Sequence, residues 1–275
     1  MMEDTFFSMS RFMKLCRKDV MENWKANLLR FVLMYGVLAI VIVYDRDNEY
    51  AHVTLENGMN WLYPDPAWHF IYNVFAWFLL CFGCLSASLT MEKMKSKAGR
   101  LSVLMLPATS FEKFFSRWLI TTVAFLIVFF IAFELADFTR VAVYSFLYPE
   151  AREVIIPIRI WDYDLLTDAY FRMMLIPFYF FVQSLFVLGS TVWPRNAFLK
   201  TFAAVTIIWI LYFSAYVVVM KLMTASGYNS SYILRPFKSK EIMAPMLGIF
   251  FSFFAVVNWT LAYFRFKESE IIHRM

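Results

Sequence analysis

The chain is patterned as long apolar runs separated by short polar stretches. Six runs have bilayer length, over about residues 28–44, 68–90, 118–136, 173–192, 201–220 and 244–264. A helix crossing the hydrocarbon needs roughly 20 apolar residues, within a range of about 17–25. Barrel strands would alternate apolar and polar positions over about ten residues. These runs are continuous, so the pattern predicts an all-α polytopic membrane protein with six transmembrane helices in one domain over 1–275.

Ahead of the first run the period changes. Met9, Met13, Cys16, Val20 and Trp24 recur at steps of three or four, and Arg11, Lys14, Lys18, Glu22 and Lys25 do so on another face. That spacing predicts an amphipathic helix within residues 1–27, lying in the membrane interface. A cytosolic helix packed on another domain has the same period and stays open. The N-terminus has neither the short apolar core nor the small-residue cleavage site of a signal peptide.

Charge in the connecting stretches orients the spans, because lysine and arginine collect on the cytoplasmic side. Residues 45–67 carry Asp45, Asp47, Glu49, Glu56 and Asp65 against Arg46, and read as external, with Trp61, Tyr63 and Trp68 as an interfacial belt. Residues 91–118 carry Lys93, Lys95, Lys97, Arg100, Lys113 and Arg117 against Glu92 and Glu112, and read as internal. Residues 141–172 read as external, and the turn 193–200 and the C-terminal tail as internal. Both termini are then cytoplasmic. The stretch 221–243, with Lys221, Arg235, Lys238 and Lys240 against Glu241, runs against the rule and reads as external or partly re-entrant. The piece VIIPIRIW at 154–161 reads as a short strand or an interfacial segment.

Composition agrees with a membrane class: 61% of the 275 residues are hydrophobic and 20% aromatic, against about 45–50% apolar in soluble domains. The net charge of +5 is explained by the internal loops and does not point to nucleic acid. Chemistry is sparse. None of the seven glycines precedes a lysine, so no phosphate-cradling P-loop exists. The zinc-protease and serine-hydrolase motifs are absent, and His52, His69 and His273 are scattered. Cys81 and Cys84 have redox spacing, but a thiolate is costly in lipid and cysteine packs there as a small apolar residue. The chain therefore reads as no enzyme, with no cofactor of its own. Glu134 and Asp137 share a helix face and Arg140 comes three residues later. This charged cluster reads as a salt-bridged helix end or as the proton relay of an ion-coupled carrier.

The internal loop 91–118 is the most specific stretch. An apolar patch from Leu101 to Leu106 runs into Pro107, and Thr109 with Glu112 forms a capping box ahead of Phe114, Phe115 and Trp118. In order, Gly99, Leu101, Leu104, Leu106, Pro107 and Thr109-Ser110 resemble the loop pattern of ABC-2 type exporter permease subunits. The resemblance implies a short cytosolic coupling helix between spans two and three, with Thr109, Ser110, Phe111, Glu112, Lys113 and Phe115 docking on a separate ATPase subunit. ATP and magnesium would sit on that partner. It also implies a second permease subunit, identical or similar, and a place in the bacterial inner membrane. An amphipathic elbow in a non-transport membrane protein, such as an assembly or immunity factor, is the competing reading of the same loop.

Overall fold

The computed structural model describes residues 7–44, 50, 65, 67–149, 152, 154–158, 168–193, 195–225 and 240–272. Most of these residues are helical, with no strand among them. The helices are α1 (Met9–Glu22), α2 (Trp24–Val43), α3 (Trp68–Ser88), α4 (Lys97–Leu104), α5 (Ser110–Leu147), α6 (Ala169–Val192), α7 (Ala197–Ala225) and α8 (Lys240–Ile272). Six of them, α2, α3 and α5 to α8, are long and apolar enough to cross a membrane.

The N-terminal break falls earlier than the hydropathy pattern predicts. α1 stops at Asn23, which leaves helical geometry and donates its side-chain amide to the Asp19 carbonyl at 2.9 Å. The first span therefore begins at Trp24. Phe12, Leu15 and Asp19 form the buried face of α1, whereas Met9, Met13 and Val20 are exposed. Burial pushes the half-buried Cys16 thiol above its ordinary range, and Asp19 adds to the shift. Less thiolate is then present near neutral pH, so a water-soluble maleimide will alkylate Cys16 roughly several-fold more slowly than free cysteine at pH 7.5. The rate should climb as pH rises through and beyond the usual thiol range. A Cys81→Ala/Cys84→Ala background isolates the signal, and a rate equal to that of free cysteine would contradict the assignment.

The chain divides into two compact units. One consists of residues 8–83 and 119–167. Its core joins Leu38 and Ile42 of α2, Ile71, Tyr72 and Phe75 of α3, and Phe129 and Phe133 of α5. Phe75 meets the Phe133 ring edge-to-face with centroids 5.0 Å apart. Hydrogen bonds fasten α2 to α5: Tyr35 Oη and Thr139 Oγ1 are 2.9 Å apart, and the Tyr144 hydroxyl donates to the Val43 carbonyl at 2.6 Å. Ile155 and Ile158, from the piece read as strand or interfacial segment, are buried in this core without regular secondary structure. Residues 159–161 of that piece lie outside the described residues.

The other unit consists of residues 1–7, 84–118 and 168–275. Here α6 and α8 pack along their lengths, with Phe178 and Phe181 against Phe251 and the Asn258 amide donating to Ser184 Oγ at 2.9 Å. α6 starts where Asp168 accepts from the Tyr170 N–H. The turn into α7 uses Asn196 at φ 57°, a left-handed conformation that asparagine tolerates. The disputed stretch 221–243 is helical through Ala225 and again from Lys240, and 226–239 lie outside the described residues.

Candidate functional site

The loop between the second and third spans is ordered from end to end. After α3 the chain makes a 3₁₀ turn, Glu92–Lys95, and enters α4. Ser96 caps α4 by accepting the Gly99 N–H at 3.0 Å. A Cβ at Gly99 would run into the Lys93 carbonyl, so the turn and the helix close on each other only because residue 99 has no side chain. Val103 on the inner side of α4 is buried with Met94, Phe114 and Phe266. On the outer side Leu101 is 56% and Met105 81% exposed.

The capping box is present in both directions. The Glu112 N–H donates to Thr109 Oγ1 at 3.2 Å, and the Thr109 N–H donates to Glu112 Oε2 at 3.1 Å. The helix it starts does not stop, however. Ser110 opens one continuous helix to Leu147, 38 residues long, with a π-helical turn at Ile120–Ala124. No glycine or proline occurs between those ends to break it. The short separate helix of this loop is α4, and the capped segment is the first part of the third span.

That continuity changes what the nominated docking residues touch. Glu112 is fully buried and Lys113 nearly so. Phe111 stacks on Phe115 at 5.5 Å and meets Tyr263 edge-to-face at 6.0 Å. Phe7 comes against Phe111 at 6.3 Å, and Phe115 stacks on Trp118. Thr109 and Ser110 are half-buried. These six residues lie on one stretch of the capped helix, with Phe111 turned toward Tyr263 of α8. The exposed residues are one helix earlier in the chain. Counting periodicity from the capping box forward misses α4, whose only local start signal is Ser96 three residues before Gly99.

The charged trio separates. Glu134 is exposed, whereas Asp137 and Arg140 are buried and paired, Nε to Oδ1 at 2.7 Å. Arg140 also donates to Asp65 Oδ2 at 2.8 Å, to the Tyr50 hydroxyl and to the Ile156 carbonyl at 2.8 Å. The spare oxygens are filled: Asp137 Oδ2 takes the Ile158 N–H, and Asp65 Oδ1 takes the Ala67 N–H and the Tyr50 hydroxyl. Burial raises the Tyr50 hydroxyl above the usual phenol range, so it stays a neutral donor to Asp65. Asp65 and Tyr50 come from the acidic connection between spans one and two. Their pairing with Arg140 has no local sequence signal.

Among the described residues no group of three His, Cys, Asp or Glu side chains is arranged to hold a metal. Cys81 is exposed and Cys84 buried, neither in a disulfide. No protein family, curated protein or solved structure matches this chain.

Proposed function

We propose that this chain is the membrane-spanning permease subunit of an ATP-driven exporter of the ABC-2 type, working with a separate ATPase subunit and a second permease subunit. The observation that supports the reading best is the ordered block from Glu92 to Trp118. Leu101 and Met105 form an exposed apolar surface on a short helix, flanked by Lys97 and Arg100. The opposite side, through Val103, is packed into Phe114 and Phe266. A partner pressing on α4 therefore pushes on the beginning of the third span and the C-terminal part of the sixth. Contact belongs to Leu101 and Met105, and transmission to Phe111, Glu112 and Phe115. In this reading the block and both termini are cytoplasmic, in a bacterial inner membrane, with α1 in the interface. ATP and magnesium belong to the partner.

Co-purification tests it. The chain captured from its native membrane should carry an ATP-hydrolysing subunit, and Leu101→Asp/Met105→Asp should lose that subunit. Exposed substitutions of this kind change stability by only about 0.5 kcal/mol, so the thermal midpoint should hold. Glu112→Ala should do the reverse, retaining the partner while losing about 0.5–2 kcal/mol of helix-capping stability. The reading fails if no ATPase accompanies the unsubstituted chain, or if the double aspartate variant keeps it.

A further inference from the structure

The chain contains one glutamine, and it lies buried in the middle of a membrane span. Gln183 of α6 is ten residues from Met173 and nine from Val192, in a run without a charged residue. At a rise of about 1.5 Å per residue, it stands roughly 14 Å from either end of that run. Gln183 is 1% exposed, and among the described residues neither amide atom, Nε2 or Oε1, has a hydrogen-bond partner. Tyr179 is one turn earlier on the same face and 8% exposed, and its hydroxyl has no partner among the described residues either. The adjoining polar side chain is already engaged. Ser184 donates to the Phe181 carbonyl at 2.7 Å and accepts from the Asn258 amide at 2.9 Å. On α3 of the same unit, Cys84 lies within electrostatic reach of the Tyr179 hydroxyl. Cys84 and Ala87 also share a core cluster with Val187, one turn beyond Gln183.

A side-chain amide offers two donors and an oxygen with two acceptor positions, and a phenol hydroxyl both donates and accepts. Leaving such groups unpaired at this depth is costly, because hydrocarbon supplies no hydrogen bonds. A lipid headgroup or another chain cannot reach a side chain that is so completely covered. An ion would find no opposite charge on this run of α6. What fits is small, neutral and able both to donate and to accept, and the one such molecule always at hand is water. Enclosed water typically makes about three hydrogen bonds to buried polar groups that would otherwise lack partners. The geometry points to a bound-water site at the centre of the fourth span, held between the Gln183 amide and the Tyr179 hydroxyl. The inference goes beyond the exporter reading and does not depend on it.

The single glutamine makes the test selective. The full chain is made by cell-free synthesis with glutamine carrying nitrogen-15 in its side-chain amide, and reconstituted in phosphatidylcholine bilayers with deuterated acyl chains. Only Gln183 then gives a side-chain amide signal, and magnetisation is passed to it from water protons. The signal should receive that magnetisation, and more slowly than an aqueous amide does. Glu268→Gln provides the aqueous reference, since Glu268 is exposed in the C-terminal part of α8. Tyr179→Phe takes away one of about three partners of the water and should lower the transfer by roughly a third or more. No transfer from water would overturn the inference, as would transfer unchanged by Tyr179→Phe. Transfer as fast as at the Glu268→Gln reference would also overturn it, because the amide would then face open water instead of a held molecule. ATPase capture through Leu101 and Met105 bears on none of these results, and its loss would leave the water site standing.

Discussion

Arg140→Met will cost this protein about 3–5 kcal/mol and lower its thermal midpoint by roughly 10 °C. The guanidinium is fully buried between two carboxylates that are themselves buried, Asp65 and Asp137. Removing it leaves two uncompensated charges in a region that water does not reach, along with an Ile156 carbonyl that has lost its donor. The cost comes from the stranded partners more than from the arginine's own bonds. A triple variant, Asp65→Asn/Asp137→Asn/Arg140→Met, should therefore recover most of the loss. Asparagine keeps an acceptor for the Ala67 and Ile158 N–H groups while removing the charge. Thermal unfolding of the three proteins in one detergent decides the matter: a triple variant no more stable than Arg140→Met would show that the stranded charges are not the cause. Glu134→Gln, exposed and outside the pairing, should change little.

Gly248→Ala will separate the fourth and sixth spans. Pro177 inside α6 has no N–H, so the Met173 carbonyl four residues earlier loses its helical donor. Gly248 of α8 closes on that carbonyl, and a Cβ there would run into the Met173 oxygen, with Pro177 Cγ 3.8 Å away. The obstruction is backbone, so no side-chain rotation relieves it. Overpacking of a close contact costs about 1–3 kcal/mol, and here it falls on the most extensively packed helix pair in its unit. Gly36→Ala is the control, since nothing lies within 4 Å of a Cβ at that position. There the alanine should be neutral or slightly stabilising, because glycine is the poorer helix former. Equal effects of the two substitutions would show that packing against Met173 is not the reason.

The three aromatic grips around Phe111 show how far local pattern carries. Thr109 and Glu112 are three residues apart, and both capping hydrogen bonds form as that spacing predicts. Whether the helix they start ends after three turns or continues is decided by residues 119–147, which contain no glycine or proline. The apolar run and the amphipathic segment before it are therefore one element. The separate short helix lies upstream, where Lys93 and Gly99 must approach each other before a turn can form.

What the sequence by itself determined is the set of elements: six apolar helices, the capping box, a tight turn after the fourth span (which ends earlier than the pattern predicts, since helix resumes at Ala197) and the basic loop. Each arises from interactions between residues a few positions apart, and from the length a helix needs to cross hydrocarbon. Only the tertiary structure decided which side chains are available. Glu112 and Lys113 look like surface charges in the sequence and are buried, while Leu101 and Met105 look like part of an apolar patch and are exposed. Asp137 and Glu134 are separated by the packing of one helix face, because Arg140 draws Asp137 and the distant Asp65 inward and leaves Glu134 outside. Such choices depend on contacts between residues tens of positions apart, and on the cost of burying a charge without a partner, which no local pattern encodes.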